Sequence, residues 1–367
     1  MSRPVLLLAL FALLGGLGCP GPLDNFGDHG PSHGPSYNHS INFYSWNGFP
    51  DAPGASGLWA TQVGSFRYAL VGTDKGLRIQ SLAATGVYVD MAGPAIHSGS
   101  SLQRDVETYN AFAYVCSDAT GLNQGIMIID ISGLPAQPPV VGIFQPNDGD
   151  PRGKNLSLDR ERGLLYLQRA LGIEVWDIKT DPLHPAFLAR FASDVPVSDL
   201  VSQGTRLYVA EGQAKGFSIW DMTSPTSPIR LSRWSSPGFA NSIWPREDGQ
   251  VVATVEETPA SPIRFLAVNT QGQVVPAGQW SLDGQTLASS IKLKGDRAYI
   301  AYREAGLVVL GLADLSKPSL MGRFDGPTTA AEPALRDVRD VFPSSDPYNS
   351  YCLVSDGAKG LFQVYVY

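Results

Sequence analysis

Along most of the chain, apolar and polar positions alternate in short runs, and Gly, Asp, Asn, Ser or Pro interrupts each run. A period of two with such punctuation predicts strands joined by tight turns, and outside the extreme N-terminus no segment keeps a helical period. The clearest run is Gly172-Ile-Glu-Val-Trp-Asp-Ile178, followed by a Pro-containing turn to Pro185 and a second strand, Ala186-Phe-Leu-Ala-Arg-Phe191. Comparable strands open on Gly76 (GLRIQSL), Gly125 (GIMIIDI), Gly216 (GFSIWDM), Gly306 (GLVVLGL) and Gly360 (GLFQVYV). A seventh, Pro262-Ile-Arg-Phe-Leu-Ala-Val268, has Ser261 in place of the glycine. The spacing of roughly 44 to 54 residues is that of propeller blades.

Each of these strands is preceded by another, such as Ala113-Tyr-Val-Cys-Ser117 or Leu207-Tyr-Val-Ala-Glu211, and further upstream by a third, such as Arg104-Asp-Val-Glu-Thr-Tyr109. A fourth follows the turn, as in Pro139-Val-Val-Gly-Ile-Phe144. Four antiparallel strands per unit, arranged radially, hide their faces against one another and leave only short edges. The expected fold is therefore all-β: a seven-bladed β-propeller of four-stranded antiparallel blades, with repeats from about residue 57. The last unit ends at Tyr367 after its third strand, so Ile41-Asn-Phe-Tyr-Ser-Trp46 is expected to supply the missing fourth and close the ring.

The runs GIMIIDIS, GIEVWDIK and GFSIWDMTSP, each leading into a Pro-containing turn, resemble the LVIVD repeat. The longer stretch from Ser101 to Val115, with Asp118 and GIMIIDISGLP, resembles the choice-of-anchor B proteins. That resemblance implies a surface-anchored or secreted β-propeller. Strands that open on histidine in many relatives here begin Lys154-Asn155, Ser198-Asp199 and Asn241-Ser242, so no histidine-dependent role is carried over. Val175-Trp176-Asp177 and Ile219-Trp220-Asp221 resemble the end of a WD40 blade without its Gly-His element, and are read as blade packing.

Residues 1–18 read as a signal peptide: Arg3, an apolar stretch from Val5 to Leu14, then small residues before Cys19. The apolar run is shorter than the about 20 residues of a membrane span. It resembles a bacterial lipoprotein leader, which implies acylation of Cys19, attachment to a membrane through lipid, and residence in the bacterial cell envelope or at the cell surface. Simple secretion is the other reading. Residues 19–40, rich in Gly, Pro, Ser, Asp and His, read as a flexible tether, and 41–367 as one propeller domain. The tether histidines His29, His33 and His39 have nothing to fix a metal geometry.

The formal charge of −7 and the lack of a basic run argue against nucleic acid or an anionic surface as partner. Apart from Cys19, only Cys116 and Cys352 remain, on corresponding strands of the second and last units; two buried thiols or a bridge are both open. Searches for a nucleophile elbow, a zinc-binding helix and a phosphate loop find none, and Asn147-Asp-Gly-Asp-Pro-Arg-Gly-Lys154 reads as a turn. His97 and His184 read as surface turn residues. The loops 325–334 and 343–350 enlarge the last blade, with Asp346 and Tyr348 as candidate contacts.

The starts of the innermost strands converge on one mouth of the central channel. Aligning them selects Arg104, Asp105, Asn155, Asp199, Asn241, Ser290, Arg336 and Asp337 as candidate ligand-binding residues. They admit a small polar ligand, a calcium ion between Asp105, Asp199 and Asp337, or a partner's loop. They equally admit a structural role, satisfying backbone N–H groups and locking neighbouring blades. Two functions follow. One is an envelope-anchored binding or scaffold module for a protein, peptide or glycan, with no catalytic residue and no resident cofactor. The other is a secreted hydrolase or lyase using carboxylates or a metal at the mouth, which would need a tuned acid/base pair.

Overall fold

The structure is a computed structural model of the 367-residue chain. It describes residues 41–47, 54–73, 76–82, 88–90, 103–117, 125–147, 150, 152–169, 172–192, 196–213, 216–236, 238–256, 262–282, 287–326, 335–344 and 351–367, the side chains of 42–47, 88–90, 103, 104, 117 and 213 excepted. The leader, Cys19, the tether, His97, Asp346 and Tyr348 lie outside the described residues.

Alternating runs pair with their sequence neighbours into seven antiparallel sheets: blades 58–90, 103–144, 156–191, 199–234, 239–280, 290–324 and 338–366. The innermost strands are Leu58–Val63, Gln103–Tyr109, Leu156–Asp159, Asp199–Gln203, Phe239–Pro245, Ser290–Lys294 and Val338–Pro343. Each lies beside the next all the way round, blade 7 beside blade 1 included, so they border a central channel. Seven apolar clusters, one at each blade-to-blade interface, form the core. Trp176 packs on Phe144 and Trp220 on Phe191 inside these interfaces, and the exposed Phe187 covers Trp176 from its own blade. The aspartates that follow both tryptophans cap turns: Asp177 accepts the N–H of Lys179 and Asp221 that of Thr223.

The fourth strand of blade 7 is Ile41–Asn47, antiparallel to Gly360–Val366, with Ile41 opposite Val366 and Asn47 opposite Leu361. Inner strands descend from the mouth face, second strands return, third strands descend and outer strands climb. Ile41, beside the lower end of a third strand, therefore enters on the face opposite the mouth. Blade 5 departs from the four-strand expectation. Gly212, turning with φ +63°, carries the chain past the second strand of blade 4, and Gly212–Gln213 pairs with Phe239 and Ala240 as a fifth strand.

The opening glycines have a physical reason. Gly76, Gly125, Gly172, Gly216, Gly306 and Gly360 all have φ between 75° and 128°. At Gly216 a Cβ would stand 2.0 Å from the Trp234 carbonyl oxygen, and at Gly306 the same distance from that of Phe324. The third strand thus starts pressed against the outer strand's backbone. Gly216→Ala is expected to cost about 2–4 kcal/mol in urea unfolding, from left-handed strain plus the clash. Gly64→Ala, with φ +59° but nothing within 4 Å, isolates the strain and should cost about 1 kcal/mol.

Candidate functional site

Strand register places one residue of each blade at the same level of the channel mouth. Asp105 lies opposite Cys116, Asp199 opposite Ala210, Ser242 opposite Val255, Ser290 opposite Ala301 and Asp340 opposite Ser355. Gly57 and Asn155 take the same level in blades 1 and 3, their carbonyls accepting the N–H of Gly72 and Gln168.

Side chains of this row reach to the next blade in chain order, and Ser242 also donates back to Asp199 of the preceding blade at 2.9 Å. Asp105 accepts the N–H of Leu156 at 3.1 Å, Asp199 that of Ile243 at 3.0 Å, Ser242 that of Ile291 at 3.4 Å, and Asp340 that of Leu58 at 3.1 Å. Each aspartate also accepts its own following N–H, from Val106, Leu200 and Val341. Asn155 donates to the Ser198 carbonyl, and Ser290 to Asp340 at 2.7 Å. An inner strand is the sheet edge, in blade 5 beyond Ala240, so its amides need partners, and this clasp supplies them across the seams. One turn deeper the pattern repeats: Glu107 accepts the N–H of Leu158 and pairs with Arg160 at 2.7 Å, while Ser157 accepts the N–H of Ser202. Arg160 stacks over Trp59, which meets Phe342 edge-on.

Of the residues selected from sequence, Asp105, Asn155, Asp199 and Ser290 belong to this row. Arg104 and Asn241 precede it, each at a bulge; Asn241 donates to the Ser289 carbonyl at 3.1 Å, and the Arg104 side chain is outside the described residues. Arg336 and Asp337 stand apart. Their amides donate to Asp356, and the Asp337 carboxylate pairs with Arg339 at 2.8 Å and faces Arg303 at 3.6 Å. The chain reads Arg336-Asp-Val-Arg-Asp-Val341, and the second Arg-Asp-Val, not the first, aligns with Arg104-Asp105-Val106; Asp340 is the mouth residue of blade 7.

Lys292 escaped the sequence reading. In Ser290-Ile-Lys-Leu-Lys294, Ile291 and Leu293 enter the blade 5–6 core, which leaves Lys292 on the opposite face of the strand. Its Nζ lies 3.8 Å from Asp340 and 4.0 Å from the centre of the Trp244 ring. Burial pushes the Asp105 carboxyl up to about 8, with Glu107 adding and Lys292 opposing. Burial raises Asp199 to about 6 against the hydrogen bond from Ile243 and the charge of Lys292. Burial works against the Lys292 ammonium, but Asp340, Asp105, Asp199 and Glu107 outweigh it and its pKa is raised.

The mouth thus sets the Lys292 ammonium beside Asp340, with Asp105 and Asp199 near enough to act on its charge. Among the described residues no group of three or more His, Cys, Asp or Glu side chains is placed to hold a metal ion. Elsewhere, the Asp150 carboxylate is paired with Arg152, His184 is exposed and paired with Asp181, and Cys116 and Cys352 are buried and unbridged.

Residues 103–145 and 286–326, centred on blades 2 and 6, match the LVIVD repeat. No curated protein matches the chain. Among solved structures it is similar to one described as the crystal structure of the mitotic checkpoint complex, at 13% identity over 94% of this chain and 99% of that one, with a TM-score of 0.61. It is also similar to U3-55K, at 12% identity over 90% and 100% with a TM-score of 0.65, and to the RRP9 WD40 repeats, at 12% over 90% and 99% with a TM-score of 0.64. At these identities the likeness is one of fold.

Proposed function

We propose that this LVIVD-repeat propeller is a binding or scaffold module, held in the bacterial envelope by lipid on Cys19, that offers its mouth face to a protein, peptide or glycan. The observation that carries the reading is directional. The chain enters the disc at Ile41 on the face opposite the mouth, beside Val366, so an anchor upstream leaves the mouth face turned outward. A Gly/Pro/Ser-rich tether of the composition of residues 20–40 spans roughly 25 Å, enough to hold the disc clear of a headgroup layer. Clasped seams support the same reading, because recognition needs a rigid platform under variable loops.

The test places a photo-crosslinking residue at Lys154, exposed on the mouth face, or at Glu161, exposed on the opposite face, in the full-length protein in cells. A discrete adduct from position 154 and none from 161 is expected. Equal adduct patterns, or adducts only from 161, would remove the assignment of the mouth face. Mass spectrometry of the N-terminal peptide, with Cys19→Ser as control, tests the anchor separately; an unacylated Cys19 would overturn it.

A further inference from the structure

We propose that the channel mouth is a proton-controlled latch, in which carboxyl groups from blades 2, 4 and 7 share the ammonium of Lys292 on blade 6 and their ionisation sets how tightly the inner strands hold together. This rests on the clasp geometry and stands whether or not the mouth face binds a partner.

The groups facing Lys292 come from every neighbouring inner strand. Blade 7 gives Asp340 at 3.8 Å, and blade 5 gives the Trp244 ring at 4.0 Å. Blade 2 gives Asp105 and Glu107, and blade 4 gives Asp199, all acting on its charge. Glu107 is already paired with Arg160 of blade 3. Three aspartates therefore share one ammonium. With Asp340 and Lys292 as the balanced pair, ionising Asp105 and Asp199 adds two negative charges to a half-buried cluster. Each of those carboxylates is also the acceptor joining its blade to the next, through Leu156 and Ile243. Repulsion within the cluster is thus felt directly at the seams between blades 2 and 3 and between blades 4 and 5.

The sign follows from linkage. The folded values of Asp105 (about 8) and Asp199 (about 6) lie above the unfolded value, so between about pH 4 and pH 8 the folded state binds more protons than the unfolded state. Stability is then fully present below pH 4, falls most steeply between about pH 4 and 6 where both groups contribute, falls more gently to about pH 8 where Asp105 alone does, and levels off above that. Lys292, raised above its ordinary value, stays charged throughout this window. The surface aspartates held low by turn hydrogen bonds, such as Asp130, Asp150 and Asp221, lose their contribution only below about pH 4 and do not mask the effect.

The experiment is thermal melting of the wild type, Asp105→Asn, Asp199→Asn and Lys292→Met at pH 5.5 and 8.5. The wild-type Tm should fall by roughly 5 °C or more between the two. Asp105→Asn should at least halve that fall, whatever its absolute stability, and Lys292→Met should enlarge it, since the carboxyls then lack their counter-charge. A merely structural clasp would shift all Tm values equally at both pH values. A wild-type Tm that is flat or rises, or a fall unchanged in both asparagine variants, overturns the latch. If the variants do not fold, wild-type protein labelled at aspartate Cγ with carbon-13 decides the matter. A carboxyl resonance titrating near pH 8 is expected, and its absence sinks the proposal.

Discussion

A chain shortened to begin at Gly54, without Ile41–Asn47, is expected to lose at least about 5 kcal/mol of stability and to populate opened rings at neutral pH. The removed strand pairs with Leu361–Val366 from end to end apart from a bulge at Tyr44. Those ladder bonds contribute about 0.5–1.5 kcal/mol each, and burying Ile41 between blades 6 and 7 about 1.5–3 kcal/mol. Against a typical total of about 5–15 kcal/mol, the loss is a large fraction. The effect exceeds that of removing an equivalent outer strand from an open sheet, because this strand joins the two ends of the described ring non-covalently. Without it, blade 7 has a bare edge on its third strand, a template for pairing with other chains. Urea unfolding of the shortened and full chains measures the loss. A synthetic peptide of residues 41–47 should recover part of it. A shortened chain with the full-length midpoint would show that the ring is held without the seventh blade's outer strand.

That closure was legible because it follows from counting. Seven alternating units with the last one strand short leave one place for a strand, and Ile41-Asn-Phe-Tyr-Ser-Trp46 was the run available. The opening glycines were legible for a related reason. A backbone held at positive φ against a neighbouring carbonyl accepts no side chain, so the residue repeats even where the strand after it drifts from GIEVWDI to GLVVLGL. Position along the channel is a different kind of information. Which inner-strand residue reaches the mouth depends on register against the second strand, and a bulge shifts that register by one residue at Arg104, Asn241 and Arg339. Spacing alone could not choose between two consecutive Arg-Asp-Val triplets. Lys292 was hidden differently: alternation put it opposite a core face, but only closure of the ring brings Asp340, Asp105 and Asp199 round it from three other blades.

The two triplets make the sharpest test of the register. Asp340→Ala is expected to cost about 3–5 kcal/mol, whereas Asp337→Ala should cost about 1 kcal/mol or less. Asp340 accepts the N–H groups of Leu58 and Val341 and the hydroxyl of Ser290, and it faces Lys292. Its removal leaves the Leu58 amide without its acceptor at the seam between blades 7 and 1, and deprives a buried ammonium of its closest counter-charge. Asp337 keeps 27% of its side chain exposed, and among the described residues its carboxylate pairs with Arg339 and Arg303, contacts that water and salt screen. Asp340→Asn separates the two roles of the carboxylate: the amide oxygen still accepts one N–H, but Lys292 loses the charge, so an intermediate cost is expected. Because the Asp340 charge also helps hold Asp105 up, either Asp340 variant should shrink the fall in Tm between pH 5.5 and 8.5, while Asp337→Ala leaves it unchanged. Equal costs for the two alanine variants, or a pH response altered only by Asp337→Ala, would return the first triplet to the mouth and displace Asp340 from it.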